Sequence, residues 1–147
     1  MKISHILLVE DDDDQADLVT YVLGSAAPNL TLSRASNGAA ALDYLYRRGE
    51  YIDSMPADLV LLDLKLPLVD GIGVLKDVKA NDELRSIPVI MLTTSQADID
   101  RDQAYTAGVN SYLVKPMEFD IMRDMINDIL RYWGHWNNPV NTKMYST

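Results

Sequence analysis

Leu59-Val60-Leu61-Leu62-Asp63-Leu64-Lys65-Leu66-Pro67 is the stretch whose reading decides the fold. A four-residue apolar run ends in one carboxylate, and Pro67 follows four positions later. A short Val/Leu run with no polar alternation reads as a strand buried on both faces, the condition of a parallel sheet covered by helices. Asp63 then stands where a central strand gives way to its loop. In open α/β sheets that carboxyl edge is where ligands bind. Taken alone, the stretch leaves a second role open, because Asp also caps helices and occupies solvated turns.

The flanking sequence repeats the pattern. Ile3 to Val9 reads as a first buried strand, followed by five consecutive acids, Glu10-Asp11-Asp12-Asp13-Asp14. A helix follows, with Ala16, Val19, Val22 and Leu23 at three- and four-residue spacing and Gly24 as a stop. One or two acids would satisfy that helix's dipole, at about 0.3–1 kcal/mol each. Five adjacent acids repel one another, so a positive partner is expected at this edge. Leu30 to Ala35 reads as a second strand, and Asn37-Gly38 opens a helix through Leu42 and Leu45 that Arg47-Arg48-Gly49 closes. Glu50 to Asp58 reads as a polar loop. Asp70-Gly71 leads into a third helix ending near Asn81, and Pro88 to Leu92 forms a fourth strand. Ser95-Gln96-Ala97-Asp98 matches a capping box, which starts a helix at Gln96 and carries it to Gly108. Its few apolar positions, Ile99, Ala104, Tyr105 and Ala107, give it a weak grip on the core, the property of an element that moves. Ser111 to Val114 is a fifth strand, followed by Lys115-Pro116 and a last helix from Phe119 to Trp133. Strands alternating with helices in this way predict a parallel sheet covered on both faces through right-handed crossovers.

Length and composition bound the function. At 147 residues, 48% apolar and 24% charged, the chain fits one globular domain. A net charge of −9 and a pI near 4.5, without Lys/Arg clusters, argue against nucleic acid as a partner. The absence of Cys excludes disulfides and thiolate metal sites. No apolar run approaches bilayer length and no signal-peptide core opens the chain, so a soluble cytoplasmic protein is expected. His5 and His135 have no metal-ligand company and read as structural or exposed.

At about 100° per residue, Phe119, Ile121, Met122, Met125, Ile126, Ile129, Leu130, Tyr132 and Trp133 fall on one arc covering roughly half of the last helix. A core-facing helix needs an arc of about 100°. The surplus edge, led by Ile121, Met125 and Tyr132, predicts a second subunit in preference to cover by the chain's own tail. The expected division is a domain over residues 1–133 and an aromatic tail over 134–147 that contacts a dimer mate or another partner.

Four groups now lie at strand ends: Glu10-Asp11, Asp63, Thr93 and Lys115. Acids about 5 Å apart repel by roughly 3 kcal/mol per pair at an effective dielectric near 20. A divalent cation relieves this, and an all-oxygen site without His or Cys suits Mg²⁺ or Mn²⁺. A hydroxyl and an ammonium facing the metal can hold a phosphoryl group from its far side. The set supplies what moving a phosphoryl group onto a carboxylate requires: nucleophile, cation and groups for the equatorial oxygens.

Residues 3–133 resemble the receiver domain of two-component response regulators. The resemblance rests on Val9-Glu10-Asp11-Asp12, Leu62 to Pro67, Asp70-Gly71, Pro88 to Thr94, Ala107-Gly108 and Ser111 to Pro116, jointly and in this order. The Arg-Arg-Gly-Glu-Tyr loop at 47–51 and the aromatic ending look like the single-domain regulators that partner cyanobacterial phytochrome histidine kinases. The resemblance implies a flavodoxin-like α/β fold, a doubly wound five-stranded parallel sheet in the order 2-1-3-4-5 with five helices. It makes Asp63 the phosphoacceptor, attacking a kinase phosphohistidine, in a chain that is not otherwise an enzyme. Asp11 becomes the direct Mg²⁺ carboxylate beside Asp63, with Glu10 and the Lys65 carbonyl completing the set. Lys115 contacts the phosphoryl group, and the Lys115–Pro116 bond is expected to be cis, a form found in about 5–6% of X-Pro bonds. Thr93 and Tyr112 match the switch pair, and Thr94 the small position lining phosphoryl access. Asp12 and Asp13 read as cap and surface acids. Glu10 departs from the commoner Asp, and Lys65 places a cation where the family varies. Readout falls to protein contacts, including a homodimer, through the fourth helix, fifth strand and fifth helix.

Three other readings compete. A Mg²⁺-dependent phosphohydrolase typically needs an acid two after the nucleophile, where this chain has Lys65. A flavodoxin-like nucleotide binder needs a Gly/Ser/Thr-rich loop after the first strand, where this chain has acids. An interaction module that is never phosphorylated would have no use for the intact acid, Thr and Lys set.

Overall fold

The computed structural model describes residues 1–140. Five strands, β1 (His5–Val9), β2 (Thr31–Ala35), β3 (Leu59–Leu62), β4 (Val89–Thr93) and β5 (Ser111–Val114), form one sheet in the order β2-β1-β3-β4-β5. Every neighbouring pair is parallel. The three central strands are buried along their whole length and the two edge strands only in part, which accounts for the uninterrupted apolar runs of β1, β3 and β4.

The helices are α1 (Asp13–Ala26), α2 (Gly38–Leu45), α3 (Gly71–Ala80), α4 (Asp98–Thr106) and α5 (Phe119–Arg131). Three begin on the side chain that the sequence offers as a cap. Asp12 accepts from the Gln15 N–H at 3.0 Å, Asn37 from Ala40 at 2.7 Å and Asp70 from Gly73 at 2.8 Å. The stripes of α1 and α5 pack on one face of the sheet, where Val19, Leu23, Ile126 and Leu130 meet Leu8 and Leu61. The other face packs α2, α3 and Ala104 of α4 around Leu7, Leu62 and Met91. Fully burying each such side chain contributes about 1.5–3 kcal/mol.

Register positions the site. Val9 pairs with Leu62, Leu62 with Met91 and Thr93 with Val114. Residues 10, 63, 93 and 115 therefore emerge along one edge. The loop leaving Asp63 is held close to the sheet by Gly71, whose N–H donates to the Leu64 carbonyl at 2.8 Å. A Cβ there would lie 2.2 Å from the Asp63 carbonyl oxygen and 2.8 Å from Leu64 Cα, backbone atoms with no freedom to yield. Gly71→Ala is expected to destabilise the fold by about 1–3 kcal/mol, read as a lower urea midpoint with an unchanged m-value.

Three expectations are corrected. Helix α4 begins at Asp98, two residues later than the capping box implies, and Ala97 caps it without a side-chain bond. The Ser95 hydroxyl, free of that duty, donates instead to Asp100 Oδ2 at 2.5 Å. The last helix is regular only to Arg131, and Tyr132–Trp136 continue it as a π-helical turn. All described peptide bonds are trans, Lys115–Pro116 included. Trans is the favoured isomer by about 0.5–1 kcal/mol, and Lys115 needs no inversion: its N–H donates to the Thr93 carbonyl at 2.7 Å, extending the ladder one residue past β5.

The weak grip of α4 is borne out, since Ala104 is its one buried residue while Ile99 and Tyr105 face outwards. Met125 of α5 packs against the core, whereas Ile121 of α5 and Tyr132 just after it are half exposed. The start of the tail docks on the chain's own beginning. Lys2 N–H donates to the Gly134 carbonyl, and Lys2 Nζ to Asn138 Oδ1, both at 2.6 Å. Residues 141–147, the rest of the expected tail, lie outside the described residues.

Candidate functional site

Each acid arrives from a different position on the edge. Glu10 follows β1 and is 2% exposed, Asp11 beside it faces solvent, and Asp63 follows β3. Oxygens of the three carboxylates lie within 4.8 Å of one another. The Asp63 N–H donates to the Val9 carbonyl at 3.0 Å, tying the two strand ends together. Asp63 Oδ1 accepts from the Leu64 N–H at 2.7 Å, which fixes its rotamer.

Lys115 enters from the end of β5. Its ammonium bonds Glu10 Oε1 and Gln15 Oε1 and lies 3.3 Å from Asp63 Oδ2, with the side chain 7% exposed. One cation is therefore shared between two acids and an amide, and Asp11 is not among its partners. The Glu10 carboxyl is pushed up from 4.5 to about 7, first by burial and then by the neighbouring Asp63 carboxylate, with Lys115 pulling the other way. Burial and the Asp63 carboxylate together outweigh the lysine's compensation. The set is all oxygen and the three carboxylates lie within reach of one ion, a donor set that fits a hard divalent cation.

Thr93 is buried at the end of β4, and its hydroxyl accepts from the Ser95 N–H at 3.2 Å. The Tyr112 ring packs on the core, and its hydroxyl donates to the Ser95 carbonyl at 3.0 Å. Ser95 thus connects Thr93, Tyr112 and, through Asp100, helix α4. Thr94 and the Lys65 side chain are exposed. Lys65 lines an open cleft of about 550 Å³ with Asp11, Leu66, Pro67, Asp70 and Asp100. Its Nζ is not among the groups that meet the acids.

Sequence reasoning missed two residues here. Gln15 stands three residues after the Asp12 cap, in the first turn of α1 and so close to the acid loop; that was the available signal. Arg34, on the edge strand β2, donates through Nε and Nη2 to the Glu10 carbonyl at 3.0 and 2.9 Å and pairs with Asp13 at 2.8 Å. It is part of the positive partner expected for the acid run, and only the register Leu8↔Arg34 reveals it. His5 is buried far from the acids, bonded to Ser33 and Tyr44. Asp12 caps α1, as expected.

The response regulator receiver domain model matches residues 6–127. The chain belongs to the response regulator receiver domain family. The receiver is 42% identical over 132 residues to the probable methanogenesis regulatory protein FilR2 of Methanothrix harundinacea, covering 90% of this chain and 84% of FilR2. It is 39% identical over 128 residues to the response regulator Rcp1 of Synechocystis sp., covering 87% of each. The Mn²⁺-bound crystal structure of Rcp1 superposes with a TM-score of 0.87 at 36% identity, over 93% of this chain and 99% of that one. The phosphorylated cyanobacterial phytochrome response regulator RcpA superposes with a TM-score of 0.89 at 31% identity, over 93% and 98%. The receiver shares their five-stranded order and their family role in two-component phosphoacceptor signalling. Among the described residues no helix is long and apolar enough to cross a membrane.

Proposed function

We propose that Asp63 accepts a phosphoryl group from the phosphohistidine of a phytochrome-type histidine kinase, and that the change is read by protein contacts. The observation that carries this reading is the meeting of Glu10, Asp11 and Asp63 with the Lys115 ammonium at one sheet edge. In the transfer, an Asp63 carboxylate oxygen forms the new bond to phosphorus while the phosphorus–nitrogen bond to the donor imidazole breaks. The Leu64 N–H holds one Asp63 oxygen, leaving the other on the Lys115 side. Lys115 and the Thr93 hydroxyl take phosphoryl oxygens, and Thr94 borders the approach. Asp11, Glu10, Asp63 and the Lys65 carbonyl hold Mg²⁺, with Mn²⁺ as a substitute; the ion supplies charge neutralisation for the acids and the incoming phosphoryl group.

Phosphorylation adds about −1.5 to −2 charges, by analogy with other phosphorylated side chains. The Thr93 hydroxyl moving towards that charge releases the Ser95 N–H, and Ser95 also carries the Tyr112 bond and the link to α4. The signal thus reaches the face of α4, β5 and α5, where we place a homodimer, with residues 134–147 contacting the mate or another partner and no role for nucleic acid or membrane. The site of action is the cytoplasm. Incubation with acetyl phosphate or a phosphorylated phytochrome kinase should yield a Mg²⁺-dependent acyl phosphate that peptide mapping places on Asp63. No incorporation from either donor, or incorporation indifferent to chelation, refutes the assignment.

The Arg34 fork orients the main chain of the acid loop, and outer partners of metal ligands typically contribute tenfold or more to affinity. Arg34→Met is expected to weaken Mn²⁺ binding about tenfold, measured by titration calorimetry. Unchanged affinity would show that the loop holds its shape without the fork.

A further inference from the structure

Lys115 is more fully engaged than a phosphoryl-contacting lysine needs to be. An ammonium has three protons, and three side-chain acceptors surround this one: Glu10 Oε1, Gln15 Oε1 and Asp63 Oδ2. Two of the three lie on the β1–α1 side of the pocket, and the amine sits farther from Asp63, at 3.3 Å. Gln15 is half-buried on the first turn of α1, and its main-chain N–H is already committed to the Asp12 cap. Its side-chain amide reaches instead to a residue 100 positions away.

We propose that Gln15 is a positioning residue that holds the Lys115 ammonium on the Glu10 side of the pocket, and so competes with a phosphoryl group on Asp63 for that ammonium. This rests on the reading of Asp63 as phosphoacceptor. The chemistry of the three acceptors separates their roles. Glu10 is drawn away whenever a divalent cation occupies the acids, and Asp63 carries the phosphoryl group itself. Gln15 is neutral, takes part in neither event, and remains to retain the amine. For Lys115 to donate to a phosphoryl oxygen, the amine must move from the Glu10 side towards Asp63, and the Gln15 bond is the one that neither the cation nor the phosphoryl group loosens by itself. Removing the amide leaves a buried ammonium one acceptor short in the unphosphorylated receiver and takes nothing from the phosphorylated one. The substitution therefore favours the phosphoryl-bound arrangement.

The test is equilibrium binding of beryllofluoride, a phosphoryl mimic for carboxylates, at saturating Mg²⁺, followed by fluorine NMR. Gln15→Leu and the unbranched Gln15→Met should each bind about tenfold tighter, the scale of one hydrogen bond to a charged group. Gln15→Glu, which restores an acceptor, should bind no tighter than the natural receiver. In a Lys115→Ala background, Gln15→Leu should change nothing, because the residue through which Gln15 acts is gone. Unchanged or weaker binding in both apolar variants overturns the proposal, as does an equal gain with and without Lys115. Two apolar variants guard against one of them failing to fold. A natural receiver that binds no beryllofluoride would instead refute the assignment of Asp63, which is a different result.

Discussion

Asp63→Asn is expected to abolish Mg²⁺-dependent phosphoryl incorporation and to make the receiver more stable. The first effect follows from chemistry, since an amide of the same shape offers no nucleophilic carboxylate oxygen. The second follows from the crowding of the site. Glu10, Asp11 and Asp63 crowd together, Lys115 bonds Glu10 and Asp63, and Asp63 helps to push the Glu10 carboxyl upwards. Asn removes one of the repelling charges. Its amide oxygen can still accept from the Leu64 N–H, and Lys115 keeps Glu10 and Gln15. Relief of about 1–2 kcal/mol raises Tm by roughly 2–4 °C per kcal/mol for a domain near this size. Loss of activity with gain of stability marks a site arranged for function against the preference of the fold. Labelling that survives the substitution would place the phosphoryl group elsewhere. A lower Tm would make Asp63 a structural partner of Lys115 and not one of a set of competing acids.

The fold was legible because its decisive signals are local. Uninterrupted apolar runs at 59–62 and 89–92 declare buried parallel strands, and Asp12, Asn37 and Asp70 declare where helices begin. The site was legible to the extent that each residue stands immediately after such a run, so strand ends and chemistry coincide at residues 10, 63, 93 and 115. What failed was local competition and what was missed was long-range. Ser95 looked like a cap, but its oxygen accepts from the Ala97 N–H ahead of the helix while its proton goes to Asp100, and α4 began later. The tail's first residues met the chain's own N-terminus, a contact spanning 136 positions that no periodicity encodes. Arg34 reaches the acid loop from a neighbouring strand, and Gln15 reaches Lys115 from the first turn of α1. Their importance depends on where another side chain ends, which sequence spacing does not specify.

The metal-free receiver should lose stability as pH rises from about 4.5 to about 7, the reverse of the usual behaviour of a paired carboxylate. The sign comes from Glu10, whose ordinary value of 4.5 becomes about 7 in the folded chain. Between those values the folded state holds a proton that the unfolded state has released, so raising pH favours unfolding. The loss is at most about 3 kcal/mol, at 1.36 kcal/mol per pH unit, and flattens above pH 7. Urea midpoints at pH 5 and pH 8 measure it, and Glu10→Gln should remove most of the slope. Added Mg²⁺ inverts the logic, because a metal ligand must be deprotonated and binding releases the proton. Cation affinity should therefore climb towards pH 7 and level off, and stabilisation by Mg²⁺ should be largest where the metal-free receiver is weakest. At a hundredfold excess over its dissociation constant the ion contributes about 2.7 kcal/mol, comparable with the whole loss. A receiver whose metal-free stability rises between pH 5 and pH 8 would show that Glu10 is ionised throughout. The shared lysine would then suffice for all three acids, and the electrostatic case for a cation among them would fail.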